Sequence, residues 1–482
     1  MTELGLAIDA ANDLGDIAAL RSALLSCSDL ELVVDSQFVP LVMYFRGNAH
    51  AALRRLSDPQ KKRAWRDPDL EGEVFHLRRA IAHPNFEDLE ELRRLQVFTN
   101  LANAFQHLGR SVEAIELFDQ ALAIHPKFGM ALGNRGLSRS EFARSLFDNG
   151  HFSLGLLMAH TDLRATREKG VLWDSSGYKS ARAGFQNHAD WIEKGLDIER
   201  RRATACFDGW RLGRSHAERT YRRWALHQRL FLNPLNVLGQ DGIAAADVLT
   251  LPPHRAPIGD PPQYIAWFNQ MVQEFVSARV LLFDGTHVHR RHYADRAVTL
   301  VNTLDYPAFS IAVEQVRFSF RSAYSLLDKI AGFINSYFNL GIDPADVTIR
   351  RVWHDRKALR LPFEQRPNWH LRGLYWLSRD IADDHDADSE AALEPDARQL
   401  KQLRHALEHR SLVLREMDGK DGMGIVQTMP LGAFEAKTLK LLKLVRAALI
   451  HLSLAIHDEE RKKTSQMPEL AIPQSLPTYR GQ

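Results

Sequence analysis

The sequence predicts an all-α protein, an α-solenoid of helical hairpins followed by a helical bundle. Small and large apolar residues alternate at hairpin spacing in "LQVFTNLANAFQHLGRSVEAIELFDQALAIHPKF" (Leu95–Phe128). Three- and four-residue apolar spacing runs through "IAVEQVRFSFRSAYSLLDKIAGFINSYFNLG" (Ile311–Gly341). Signals for strands are few. At 482 residues the chain is long enough for two or three domains. Its punctuation divides it into a repeat domain at 1–230, a Pro/Gly-rich connector at 231–262, a bundle at 263–460 and a polar tail at 461–482.

Composition is that of an ordinary globular protein, 45% hydrophobic and 25% charged. A formal net charge of +2 makes any nucleic-acid surface a local patch. Two cysteines, Cys27 and Cys206, exclude a disulfide framework and a cysteine-only zinc site within one copy, and they fit a reducing cytoplasm. The N-terminus "MTELGLAIDAANDLGD" has acids where a secretory signal needs basic residues, and no uninterrupted apolar run follows. No cofactor is implied.

From the N-terminus, "LVMYFRGNAHAALRRL" (Leu41–Leu56) reads as the first helix of an early hairpin. In Leu95–Phe128, residues Phe98, Leu101, Ala102, Phe105, Ala114, Phe118, Ala121 and Pro126 fall on the eight spacings of a tetratricopeptide repeat (TPR), which this stretch resembles. Small Ala102, Ala114 and Ala121 let two antiparallel helices approach, the larger side chains fill the groove, and Pro126 stops the second helix. One repeat cannot bury its own faces, so neighbours are required, and "GMALGNRGLSRSEFARSLFDNG" (Gly129–Gly150) continues the phase. The resemblance implies a surface for a peptide, protein or nucleic-acid partner.

Between Glu199 and Arg229 nine arginines interleave with Trp210, Tyr221 and Trp224. Guanidinium groups suit phosphates and rings suit unpaired bases, so Arg222, Arg223 and Trp224 are candidate RNA contacts. The alternative is a solvated or inter-domain helix face. "LNPLNVLGQDG" and "LTLPPHRAPIGDPP" then concentrate turn-forming residues, which marks the connector.

In the C-terminal half, Val316, Phe320, Ala323, Leu327, Ile330, Ile334 and Phe338 form the stripe of one long helix, with Gly341 as its stop. Asp328 and Lys329 on it read as a surface ion pair, or as support for a site nearby. "DGTHVHRRHYADR" (Asp284–Arg296) gathers His287, His289 and His292; a zinc site would need a fourth ligand and suitable geometry, and the other readings are a polar loop that faces RNA and ordinary surface. "WHLRGLYWLSRDI" (Trp369–Ile381) is a shorter helix. The acidic loop after it is not an EF-hand: counted from Asp384, position 6 is Ser389 and position 12 is Pro395. "LLKLVRAALIHLSLAI" (Leu441–Ile456) reads as an amphipathic helix, too short and too charged to span a bilayer.

"RQLKQLRHALEHRSLVLREM" (Arg398–Met417) carries the chemistry. Pro395 and Asp396 suit a helix start, and Leu400, Leu403, Leu407 and Leu414 form one stripe. His405 and His409 stack one turn apart on the other side, with Arg404 between. An Arg followed five residues later by His also occurs at Arg78/His83, Arg211/His216, Arg222/His227 and Arg446/His451, so spacing alone selects nothing. Context does. "RHALEHR" places polar His405 directly after the arginine, on a late helix of an all-α bundle behind helical repeats.

In these features roughly residues 235–460 resemble the HEPN superfamily, which carries an RxxxxH-type motif. The resemblance implies a metal-independent endoribonuclease built where two protomers pack motif helix against motif helix, a homodimer with RNA as substrate and tRNA as one candidate. It assigns Arg404, His405 and His409 as catalytic, with Arg410 following as a candidate RNA contact. Toxin and antiviral defence roles follow by analogy alone. The alternatives are a catalytically silent RNA-binding HEPN protein and a TPR adaptor whose bundle only dimerises.

Overall fold

The structure is a computed structural model that describes residues 2–56, 65–174, 178–204, 210–253, 255–256, 261–288, 290–301, 306–356, 358–381, 394–416, 427–464 and 472–473. The chain is all-α, as expected, with eighteen α-helices among the described residues. It divides into two compact units, Met1–Ala205 with Glu390–Pro395, and Cys206–Ser389 with Asp396–Gln482.

The first unit holds α1 (Thr2–Leu14), α2 (Ile17–Val33), α3 (Val39–Leu56), α4 (Pro68–Ala82), α5 (Glu91–Leu108), α6 (Ser111–Ile124), α7 (Gly129–Ser145), α8 (Asn149–Ala165), α9 (Tyr178–Gly195) and α10 (Ile198–Thr204). From α1 to α9 each helix packs on the next, and α1, α5 and α7 also touch the next but one. This is hairpin stacking built from local contacts. Gly109, at φ +84°, reverses the chain between α5 and α6 in the left-handed region that glycine enters freely. Ala102, Ala114 and Ala121 are fully buried, and Phe98, Leu101, Phe105 and Phe118 are buried around them. The spacing read in the sequence is thus a packing pattern.

Close helix approach also fixes Gly133 on α7, where a methyl group would overlap the ring of Phe185 on α9. That ring sits in a cluster with Leu156, Leu163, Ala189 and Ile192 and has little room to yield. Gly133→Ala is therefore expected to destabilise this unit by about 1–3 kcal/mol, measured as an earlier urea midpoint.

The second unit holds α11 (His216–His227), α12 (Pro234–Leu238), α13 (Gln263–Thr286), α14 (Ile311–Tyr337), α15 (Leu361–Glu364), α16 (Trp369–Ser378), α17 (Ala397–His409) and α18 (Leu431–Thr464). Three minimal sheets pin its loops: β1 (Arg255–Ala256) antiparallel to β6 (Ile472–Pro473), β2 (His354–Asp355) antiparallel to β3 (Ala358–Leu359), and β4 (Leu412–Arg415) parallel to β5 (Gln427–Pro430). α14 is the long helix read from the sequence, capped by Ser310, whose hydroxyl accepts from the Val313 N–H at 3.2 Å. Val316, Phe320, Ala323, Leu327, Ile330 and Ile334 are fully buried along it. Its end comes before Gly341, because Asn339 takes the left-handed conformation at φ +51°.

Three expectations are corrected. The Pro/Gly-rich stretch does not lie between the two units but inside the second: every residue from Leu230 to Leu238 is buried, while Gln240, Val248, Pro253 and Pro262 are exposed. The Phe231 carbonyl accepts from Arg446 Nε at 2.7 Å, and the Thr250 carbonyl accepts from Ser453 Oγ at 2.6 Å, both on α18. The basic helix α11 lies in the second unit, since Ala205/Cys206 is the division. The segment Leu441–Ile456 is a core helix rather than an amphipathic one, with Leu441, Val445, Leu449, Leu452 and Ile456 buried alongside Arg446, His451 and Ser453. Arg446 and Ser453 reach backbone carbonyls and His451 Nδ1 lies 3.4 Å from His370 Nδ1, which is how a helix with such residues sits inside. Among the described residues no helix is long and apolar enough to cross a membrane.

Candidate active site

α17 begins after Asp396, whose carboxylate pairs with Lys437 at 3.1 Å and Lys440 at 3.5 Å. Burial alone would raise that carboxyl, but the two lysines hold it below its ordinary value. Leu400, Leu403, Ala406 and Leu407 anchor the helix to the core. The helix ends at His409, three residues before β4, so Leu414 is not on the helical stripe; it is buried as a strand residue. Two arginines of α14 fix this exit: Arg321 donates to the Leu407 carbonyl and Arg317 to the Leu412 carbonyl at 2.8 Å. The first satisfies a carbonyl that the helix terminus leaves without a partner, and the second ties down the start of β4.

With the leucines inward, Arg404, His405 and His409 point outward. His405 and His409 are exposed, their ring centroids 5.3 Å apart. Arg404 is half-buried and held from three sides. Its Nη2 lies 3.2 Å from Asp328 Oδ2, its Nε 3.4 Å from Glu408 Oε1, and its guanidinium carbon 4.4 Å above the Tyr324 ring. Glu408 also lies 3.8 Å from His409 Nε2. Burial would weaken the charge on Arg404, but Asp328, Tyr324 and Glu408 together raise its pKa, so the guanidinium stays a cation.

Asp328 and Lys329 are thus not a surface pair. Lys329 turns to Glu274 on α13 at 2.5 Å, whereas Asp328 reaches Arg404 and accepts the Ile349 N–H at 3.3 Å. Burial raises the Asp328 carboxyl above its usual range despite Arg404. A carboxyl raised on folding makes the folded state bind the proton more tightly than the unfolded chain. Its contribution is present at low pH and lost as pH rises through the raised value. Asp328→Asn, which cannot ionise, should gain stability relative to wild type as pH rises through that window, measured by thermal unfolding from pH 3 to pH 7.

These groups line a cleft of about 790 Å³, walled by α14 (Tyr324, Asp328), the turn Thr348–Arg351, Ile381, α17 (Lys401 to His409), Arg410 and Gln427 of β5. Five cations, Arg350, Arg351, Lys401, Arg404 and Arg410, face two acids, Asp328 and Glu408. That balance suits a phosphate chain, and two imidazoles at its mouth can take and give protons. Arg350, Arg351, Lys401 and Tyr324 are absent from the sequence-derived site. Tyr324 and Asp328 share a helix face by their four-residue spacing, yet no local signal says which helix that face meets.

The other predicted residues lie elsewhere. Arg222, Arg223 and Trp224 are on α11 and do not line the cleft. Arg222 pairs with Glu218 at 3.0 Å, and Arg223 is exposed. Trp224 is half-buried, packed on Phe283 at 5.2 Å and His287 at 5.7 Å, so its ring serves the α11–α13 contact. Among the rival Arg/His pairs, Arg446 and His451 are buried in α18. His289 of the histidine-rich loop and the acidic loop from Asp384 to Ala392 fall outside the described residues. Among the described residues, no group of three His, Cys, Asp or Glu side chains is placed to hold a metal ion.

Comparison with curated proteins and with solved structures gave no match. Residues 257–459 match the family model described as LA2681-like HEPN, a span that runs from before α13 into α18 and contains the whole cleft. This match supports the HEPN superfamily for the second unit.

Proposed function

We propose that the chain is an endoribonuclease of HEPN type that cuts RNA, with tRNA a candidate substrate, through attack of a ribose 2′-hydroxyl on the adjacent phosphorus. One observation carries the reading: Arg404 and His409 of the RxxxxH motif leave a single helix for one cationic cleft, within the segment that matches the HEPN model. In this mechanism one imidazole removes the 2′-hydroxyl proton as the P–O bond forms, and a protonated one donates to the departing 5′-oxygen. The products are a 2′,3′-cyclic phosphate and a 5′-hydroxyl. Arg404 stabilises the additional charge of the phosphorane, and His405 orients His409 or the phosphate. The side chain of His409 is 65% exposed, so a second protomer packed helix to helix is the natural source of the enclosure and the second imidazole the reaction needs.

In this reading the TPR-like hairpins of the first unit receive a protein or peptide partner that triggers or restrains cutting. A toxin or antiviral defence role rests on analogy. A second reading, RNA binding without cleavage, is favoured by the engagement of Arg404 with both Asp328 and Glu408.

The deciding experiment incubates the full chain with total tRNA and structured RNA in EDTA, with and without cell lysate as a source of trigger, and identifies the fragment ends. Cyclic phosphates on metal-independent fragments are expected. A folded dimer that binds these RNAs and leaves them intact in both conditions would transfer the assignment to the silent reading.

A further inference from the structure

Among the described residues, the histidine- and arginine-rich loop between α13 and α14 lines no part of the cleft, and its arginines are exposed. Arg290, Arg291 and Arg296 are all exposed, and among the described residues no carboxylate pairs with them. Arg291 donates to the Asp295 carbonyl at 2.8 Å. Of the two acids between Arg290 and Tyr306, Asp305 lies outside the described residues and Asp295 is committed elsewhere: its Oδ1 accepts the Ile311 N–H at 3.0 Å, at the start of α14. Its charge therefore serves a helix terminus.

Two rings accompany the arginines. Tyr293 is 77% exposed, with the His292 ring 4.1 Å away. Tyr306 is 63% exposed and sits at φ +53°, a left-handed conformation that a bulky aromatic residue rarely adopts. The backbone around it is fixed by β-type pairing to the strand that leaves the motif helix. The Tyr306 carbonyl accepts from the Glu416 N–H at 3.2 Å, and the Ala308 N–H donates to the Leu414 carbonyl at 2.7 Å. A strained residue holding its ring out to solvent is the pattern seen where structure is spent on a ligand.

We propose that Arg290, Arg291, Arg296, Tyr293 and Tyr306 form a single-stranded RNA-binding arm that feeds the strand toward the α17 cleft. This rests on the ribonuclease reading for its substrate class. Exposed arginines supply phosphate contacts, and the rings supply stacking faces, the combination that binds unpaired RNA without sequence preference. β4 starts three residues after His409, and the pairing of Tyr306 and Ala308 with Glu416 and Leu414 lays the Tyr306 end of the arm along the chain that exits the site. A membrane surface fits less well. An interfacial element is an amphipathic helix, and among the described residues of this segment the short turn Ala294–Ala297 is the one helical piece.

The test uses the full chain with His409→Ala as a non-cleaving background and a fluorescent 20-nucleotide oligouridylate, titrated across a salt series. The triple change Arg290→Ala, Arg291→Ala, Arg296→Ala should weaken binding on the order of 10- to 100-fold and make the log–log salt slope shallower by about 2. Tyr293→Ala and Tyr306→Gly should each weaken it roughly 5- to 100-fold with the slope unchanged. Glycine at 306 removes the ring while keeping the backbone conformation available. Thermal midpoints equal to the background show that the fold is intact. Unchanged affinity and slope in all three variants would overturn the arm, as would failure of the background protein to bind the oligonucleotide. It would also fall if the arginine variant lost binding to anionic phospholipid vesicles, or changed oligomeric state, with RNA affinity retained. Binding that depends on the arm in a chain whose wild type never cuts RNA would overturn the nuclease assignment alone.

Discussion

His409→Ala is expected to slow RNA cleavage by roughly 10²- to 10⁴-fold while leaving RNA affinity within about threefold, because general acid–base catalysis contributes on that scale and binding does not depend on one exposed imidazole. Imidazole is the side chain whose ordinary titration lies nearest neutrality, so no arginine, lysine or carboxylate of the cleft can take its place in both proton transfers. Arg404→Ala should cost about 10²- to 10³-fold in rate, the scale of losing one donor to a developing oxyanion. Lysine should rescue little. The guanidinium meets Asp328 and Glu408 through separate nitrogens and stacks on Tyr324, and an ammonium cannot make all three contacts. The double variant should be no slower than the worse single one, since the two residues act on one transition state. Single-turnover rates at saturating enzyme, with affinities measured separately, check each statement. A His409→Ala chain that cuts at the wild-type rate would remove the motif from the mechanism.

The residues that made the fold legible in the sequence are those whose neighbours are close in the chain. The α5–α6 hairpin and the α14 stripe depend on three- and four-residue spacings, and each named apolar position within those helices is buried. The motif trio was legible for the same reason, since Arg404, His405 and His409 share one helix. Long-range pairing was not. Whether Asp328 serves Lys329 or Arg404 depends on α14 meeting α17, a contact 76 residues apart in sequence that leaves no local trace. Leu414 continues the helical period of α17, but the chain turns into β4 after His409 because β5 offers a backbone partner. The prolines and glycines of residues 231–262 carry the same turn signals whether a segment is solvated or buried. Burial of residues 230–238 goes with side chains of α13 and α18 that take up the Leu230 and Phe231 carbonyls. Composition reports local stiffness, and tertiary hydrogen bonding decides location.

That buried segment leads to the largest expected loss of stability. Arg279 on α13 is 1% exposed. Its Nη1 and Nη2 meet the Asp247 carboxylate at 2.8 and 2.7 Å, Nη1 also donates to the Leu230 carbonyl at 2.7 Å, and Nε donates to the Tyr221 hydroxyl at 2.7 Å. The guanidinium lies 4.7 Å from the Phe231 ring centroid. Burial works against its charge, and Asp247 with Tyr221 outweighs that effect, so the cation persists inside. Asp247→Ala leaves this cation without its counter-ion and also strips the Leu232 N–H of its acceptor, so a loss of about 3–5 kcal/mol is expected. Asp247→Asn should cost less, because the amide oxygen can still accept one of those hydrogen bonds. Hydrogen exchange localises the effect: protection of the middle of α13 should fall together with that of residues 230–238, which are tied through the same guanidinium. Loss confined to the loop around Asp247, with α13 protected as in wild type, would show that the segment docks on apolar contacts alone and that Arg279 is satisfied without its acid.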